Sequence, residues 1–302
     1  MLDPFRTALT DPCRRFRARL AAAVLAVAGA LPGAAAAADS AASAWVETEQ
    51  TRVRLVAAQH ALSDSREVSL GLQFELLPHW KIYWRSPGDA GFPPHVDWAG
   101  SRNLAAADLR WPAPERFEVV GLQTLGYEKE VVLPFAAKAV TASQAVDLQA
   151  RVRYLACNDI CIPYEANLSL SVPPGAARPS PHAHLIGKYL ASVPGDGAAH
   201  GLRLADLRSV TAGKTAHLQL TARADAPFAA PDVFVEGAPG LAFGPPKVTL
   251  SKDGREALMD VAVDGLDGLD DAKGKTLDGR SFVVTLVDGG RAAERELTAQ
   301  PG

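Results

Sequence analysis

Cysteine is scarce in this sequence, with three residues among 302, and methionine is scarcer, with two. So few thiols exclude a small disulfide-stapled scaffold and leave no cysteine framework for structural zinc. Beyond Met1, the single Met259 and scattered histidines give no soft-ligand set for copper. Positive charge is not in excess: 31 Lys and Arg stand against 34 Asp and Glu, so no basic field exists to hold nucleic acid phosphates. No stretch is apolar over the ~20 residues that a membrane-crossing helix needs. The G-x-S-x-G elbow, the P-loop and H-E-x-x-H are absent as well, which removes three common catalytic and nucleotide-binding signatures. What remains is globular composition, 48% hydrophobic and 22% charged, in a chain long enough for two domains at ~150 residues each.

The N-terminal segment reads as an export signal. Arg14, Arg15, Arg17 and Arg19 precede an apolar run from Leu20 to Leu31, and Ala36-Ala37-Ala38 offers an A-x-A cleavage site before Asp39. About a dozen apolar residues are too few to cross a bilayer. Residues 1–38 are therefore expected to be a signal peptide of the general secretory type. Its removal takes five basic and two acidic residues, leaving a net charge of about −6. The expected product is a soluble protein of an exported compartment, the periplasm in a two-membrane cell, without stable membrane insertion.

Cys13 leaves with that segment, so only Cys157 and Cys161 remain. In an oxidising compartment such a pair is expected to close into a disulfide. A ring of about five residues stabilises by only ~2 kcal/mol, against ~4.7 for a loop of a hundred, so a domain of this size does not depend on it. A short bridge is also readily strained, which raises its reduction potential. The spacing alone leaves two readings open, a redox-active bridge and a local structural clip.

The flanking pattern is β. Val146, Leu148, Ala150, Val152 and Tyr154 alternate with Asp147, Gln149, Arg151 and Arg153, and Leu168, Leu170 and Val172 alternate with Asn167, Ser169 and Ser171. Period two with one polar face predicts half-buried antiparallel strands. Both cysteines then fall at the tip of a hairpin, with Asn158-Asp159 as turn formers and Pro163 ending the ladder. No helix N-terminus is available to lower a thiol pKa, and Asp159 and Glu165 would tend to raise it. Further strands are expected at Arg52–Val56, Val68–Leu76, Lys81–Trp84 and Glu130–Phe135, separated by Gly/Pro-rich turns, the arrangement of a sandwich. All five tryptophans precede residue 112, where they serve as core and edge packing or as a set lining a ligand surface.

Four blocks carry a family resemblance: Trp80 to Pro94, Trp111 to Phe117, Gly121 to Tyr127, and Tyr154 to Glu165 around the cysteines. Their order and wording resemble the N-terminal periplasmic domain of the thiol:disulfide interchange protein DsbD, in its ScsB-like branch, which is linked to copper tolerance. The resemblance covers roughly residues 45–195. It implies an immunoglobulin-like domain that takes electrons from a membrane-embedded partner and passes them to periplasmic thioredoxin-fold proteins, as a thiol-disulfide oxidoreductase component without a cofactor. On this likeness Cys157 and Cys161 are the redox pair, and Cys161 forms the mixed disulfide. A cap loop shielding the disulfide falls on Leu122 to Tyr127, with Leu125 or Tyr127 as the shielding side chain, and Tyr83 is expected beside the disulfide. The family usually joins this domain to membrane spans and a thioredoxin-like domain. Neither is in this sequence, so a separately encoded membrane thiol reductase is implied. The alternative is a non-catalytic exported binding protein with a structural disulfide.

The remainder divides by composition. Prolines at 173, 174, 179 and 181 open a connection over residues 176–200, within which Ala183 to Val193 has helical spacing. His182 and His184 at its start are expected to be solvated. Residues 201–302 hold short apolar runs bounded by turns such as Asp253-Gly254 and Asp288-Gly289-Gly290. The expected fold is all-β: two immunoglobulin-like β-sandwich domains, residues 39–175 and 201–302, joined by a short helical linker after the signal peptide.

Overall fold

Alternation of apolar and polar side chains carries directly into strands in the computed structural model, which describes residues 41–119, 121–212, 215–269 and 274–302. The expected signal peptide lies outside the described residues. The first half forms β1 (Val46–Glu47), β2 (Thr51–Ala57), β3 (Glu67–Leu76), β4 (Lys81–Gly88), β5 (His95–Asp97), β6 (Leu104–Leu109), β7 (Glu115–Val119), β8 (Leu122–Glu128), β9 (Glu130–Ala139), β10 (Val146–Cys157) and β11 (Cys161–Val172). One sheet has the order β1-β2-β3-β9-β6, the other β11-β10-β4-β8-β7 with β5 also against β10. Their inner faces meet in one core: Leu55, Leu72, Phe74 and Leu133 from the first sheet, Trp84, Leu148 and Tyr154 from the second. The Tyr154 hydroxyl and Thr51 Oγ1 share a buried hydrogen bond of 2.6 Å between the sheets, so the phenol is polar-satisfied inside an apolar layer.

The tryptophans belong to packing. Trp84 is fully buried, and Trp80, Trp98 and Trp111 pack against the same core. Trp45 carries the guanidinium groups of Arg52 and Arg54 over its ring, at 4.5 and 4.2 Å from the centroid.

Helix α1 (Ala183–Ala191) is docked on the first sandwich rather than bridging freely. Ile186 is buried with Val56 and Val132, and the Tyr189 hydroxyl donates to the Glu130 carbonyl at 2.7 Å. His182, expected in solvent, is buried at the start of the helix, in a turn where the His182 N–H donates to Ser180 Oγ at 3.0 Å and the Ala183 N–H to the Ser180 carbonyl at 3.2 Å; His184 is exposed. Among the described residues no group of three or more His, Cys, Asp or Glu is placed to hold a metal ion. Ile186→Ala is expected to cost about 2–4 kcal/mol, the range for an aliphatic truncation that leaves a cavity. Thermal denaturation and limited proteolysis at residues 176–200 measure it, and a loss under about 1 kcal/mol would mean the helix is anchored elsewhere.

The second half forms β12 (Leu202–Ala212), β13 (Thr215–Ala224), β14 (Pro231–Glu236), β15 (Ala242–Phe243), β16 (Lys247–Leu250), β17 (Glu256–Asp264), β18 (Ser281–Asp288), β19 (Arg291–Thr298) and β20 (Gln300–Pro301). A large sheet, β15-β17-β13-β12-β20 with β16 on β17, faces a small one, β14-β18-β19. Leu204, Leu220, Met259 and Val284 fill the space between them. The turn at Gly289-Gly290 uses positive φ at both residues (54° and 90°), the geometry a tight hairpin between β18 and β19 requires. Both sandwiches lie in one compact unit, Asp39–Gly302. Phe234 of β14 is buried in the core of the first sandwich, 6.0 Å from the Trp84 ring.

Candidate functional site

Strands β10 and β11 pair without a break from Val146 opposite Val172 to Cys157 opposite Cys161. The cysteines are the last opposed pair of the ladder, with Cα atoms 4.1 Å apart, and are joined as a disulfide. Asn158, Asp159 and Ile160 make the turn, closed by the Asn158 N–H donating to the Ile160 carbonyl at 3.0 Å. Pro163 does not end the ladder. It sits opposite Leu155 inside β11, which is an edge strand, where a proline nitrogen on the open side removes no ladder bond.

The two cysteines differ in access. Cys157 is fully buried, while Cys161 is exposed. Strand β4 runs along the inner side of β10, with Lys81 opposite Cys157. Two residues on, the Tyr83 hydroxyl lies 3.7 Å from Cys161 Sγ. Burial pushes the Tyr83 phenol above its ordinary pKa, so it stays protonated and is a hydrogen-bond donor to the sulfur. Tyr83, Val119 and Cys157 form a small buried cluster, with Leu155 against it. Gly91, at φ +122°, lies on the Tyr83 ring: a Cβ there would stand 2.4 Å from ring carbons, so only glycine permits this close approach.

The expected cap at Leu122 to Tyr127 is not a loop. These residues form strand β8, whose Leu125 and Tyr127 point into the main core of the sandwich. Tyr127 donates to the Pro112 carbonyl at 2.8 Å, and complete burial raises its phenol well above the usual pKa. An apolar pair at Leu125 and Tyr127 two residues apart is the mark of a core-facing strand, and core burial wins. Beside the expected Tyr83, the residue packed with Cys157 is Val119, at the end of β7, which the sequence pattern does not single out. Leu122, opposite Val119, is 45% exposed.

Exposed apolar side chains gather at this end. Ile160 between the cysteines is 63% exposed, and Phe92, next to Gly91, is 45% exposed. The acidic neighbour Glu165 is bonded to Arg151 at 2.9 Å, which holds its carboxyl below the usual range and offsets its charge beside the cysteines.

A tandem of β-sandwiches, the first presenting a half-buried disulfide at a hairpin tip, is the class that this fold and site define. Residues 52–173 match the family model for the thiol:disulfide interchange protein DsbD, N-terminal, so the first sandwich is a DsbD/ScsB-like N-terminal domain. Residues 192–302 match a domain of unknown function, DUF8393. The chain is similar to the crystal structure of the N-terminal periplasmic domain of ScsB from Proteus mirabilis, with 24% identity, a TM-score of 0.67, and coverage of 87% of this chain and 100% of that one. That likeness shows a shared fold across both sandwiches. No curated protein matches the chain. Among the described residues no helix is long and apolar enough to cross a membrane.

Proposed function

We propose that this protein is a periplasmic thiol-disulfide exchange module that relays electrons from a membrane thiol reductase to thioredoxin-fold proteins. The observation that carries the reading is the asymmetry of the bridge, with Cys157 enclosed and Cys161 open to an incoming thiolate beside a phenol donor. On reduction, a donor thiolate attacks Cys161 Sγ and Cys157 leaves as thiolate. The donor's second thiolate then displaces Cys161, so the donor becomes a disulfide and this protein takes up two electrons and two protons. On transfer, the Cys161 thiolate attacks the acceptor's disulfide, and Cys157 resolves the mixed disulfide. Ile160, Phe92 and Leu122 give the apolar rim on which a partner's active-site surface would dock.

Mixing the reduced protein with an oxidised thioredoxin-fold protein and alkylating free thiols tests the relay. The expected result is two thiols lost here for two gained by the partner; no redistribution would favour a structural bridge. The Tyr83 hydroxyl has its own expected effect. A hydrogen bond to a charged sulfur contributes about 1.5–3 kcal/mol, and one pKa unit is ~1.4 kcal/mol. Tyr83→Phe is therefore expected to raise the Cys161 thiol pKa by about one unit and slow its alkylation at neutral pH by about tenfold. An unchanged rate would mean the phenol does not bond the thiolate.

A further inference from the structure

Strand β14 reads Asp232-Val233-Phe234-Val235-Glu236, and its two faces go to different domains. Val233 and Val235 enter the core of the second sandwich, whereas Phe234 enters that of the first. On the Phe234 face, Asp232 holds Arg116 of β7 in a bidentate pair, Nε–Oδ2 and Nη2–Oδ1 both 2.9 Å. Glu236 holds Arg85 of β4 at 2.6 Å, and Glu294 of β19 takes the same guanidinium at 2.5 Å. The Arg116 guanidinium also lies over the Phe234 ring, 5.1 Å from its centroid. One arginine from each of two strands of the first domain is thus gripped by an acid–Phe–acid strip of the second. Those strands are the ones whose Tyr83 and Val119 enclose the disulfide: Tyr83 stands two residues from Arg85, and Val119 three from Arg116.

We infer that the Asp232–Phe234–Glu236 face of the second domain is a clamp that holds β4 and β7 over the disulfide, which makes Arg85 and Arg116 positioning residues for its reactivity. A charged, planar fork fixes an arginine in direction as well as distance, so it holds a strand in place better than an apolar contact that can slide. None of the five residues touches a sulfur in the described contacts. Their effect is on how far Tyr83 and Val119 open.

The inference rests on the exchange reading only for the identity of the reacting bond. Its test uses dithiothreitol, which needs no protein partner. One reagent thiolate attacks Cys161 Sγ and Cys157 leaves. The second reagent thiolate displaces Cys161, giving cyclic oxidised reagent and two cysteine thiols. The Asp232→Ala/Glu236→Ala double variant is expected to be reduced about tenfold faster than the parent, with faster hydrogen exchange in β4 and β7. Asp232→Asn/Glu236→Gln, which keeps the acceptors, should recover most of the slow rate. Asp225→Ala, which breaks an exposed pair with Arg203 in the same domain, should leave the rate unchanged. Should the double alanine variant fail to fold, Asp232→Ala alone is read the same way, with about a threefold rise expected. Rates within twofold of the parent overturn the clamp, whether or not β4 and β7 exchange faster. If the parent exchanges thiols with a thioredoxin-fold protein and the variants do not differ, the clamp alone fails. If the parent's disulfide is inert to both reagents, the exchange reading fails.

Discussion

A Cys157→Ala variant, mixed with an oxidised thioredoxin-fold protein, is expected to accumulate a covalent complex through Cys161, while Cys161→Ala accumulates none. The physical reason is access. Cys161 is the exposed member of the pair and Cys157 is fully enclosed by Tyr83, Val119 and Leu155. In the parent protein the complex is expected to be short-lived, because Cys157 stands directly across the ladder at a Cα separation of 4.1 Å, in position to resolve it. Intramolecular attack in such a position reaches effective molarities of about 10⁵ M or more, so deleting the resolving thiol should lengthen the complex's lifetime by several orders of magnitude. Non-reducing electrophoresis and mass mapping of the cross-link read the outcome. A cross-link through Cys157 in the Cys161→Ala variant would reverse the assigned roles. No cross-link in either variant would leave the bridge a structural clip.

The largest expected effect on stability is at Trp84, a fully buried side chain in the sheet that carries the cysteines. It joins the core of the first sandwich and meets Phe234 of the second at 6.0 Å. Truncating a buried aromatic to alanine costs about 3–5 kcal/mol, so Trp84→Ala should lower Tm by roughly 10 °C. Trp84→Phe should cost far less, about 1 kcal/mol. The Trp84 Nε1–H is a buried side-chain donor without a hydrogen-bond partner among the described residues, so its removal relieves a desolvated group. Equal losses for the two variants would contradict this account of the core. Trp84 neighbours Tyr83, so Trp84→Ala should also speed reduction of the disulfide by dithiothreitol.

Much of this architecture was legible as period-two alternation. The runs Val68–Leu76 and Val146–Tyr154 became β3 and β10, with the apolar positions inward, and the cysteines fell at a hairpin tip as the pattern implied. The helix at Ala183 showed in its spacing, but its docking through Ile186 depends on an apolar patch of the sheet's outer face, at Val56 and Val132, that linear periodicity does not reveal. The cover of the disulfide was not legible. Val119 ends a strand whose burial does not alternate cleanly, and its contact with Tyr83 and Cys157 is made between chain segments tens of residues apart. Leu125 and Tyr127 had the apolar character a shield needs, yet the same character sends them to the core. Pro163 read as a stop because a proline breaks a central strand, and only the sheet order shows that β11 is an edge. The arginine pairs between domains join residues more than a hundred positions apart, and charge counting cannot choose partners at that range.

The most direct measurement is the reduction potential of the Cys157–Cys161 couple, equilibrated against dithiothreitol or glutathione redox buffers with thiols counted by alkylation. A relay that exchanges electrons with thioredoxin-fold proteins must lie near their own couples, and the account predicts a value between about −120 and −270 mV. A value below about −300 mV, where structural disulfides resist reduction, would contradict it.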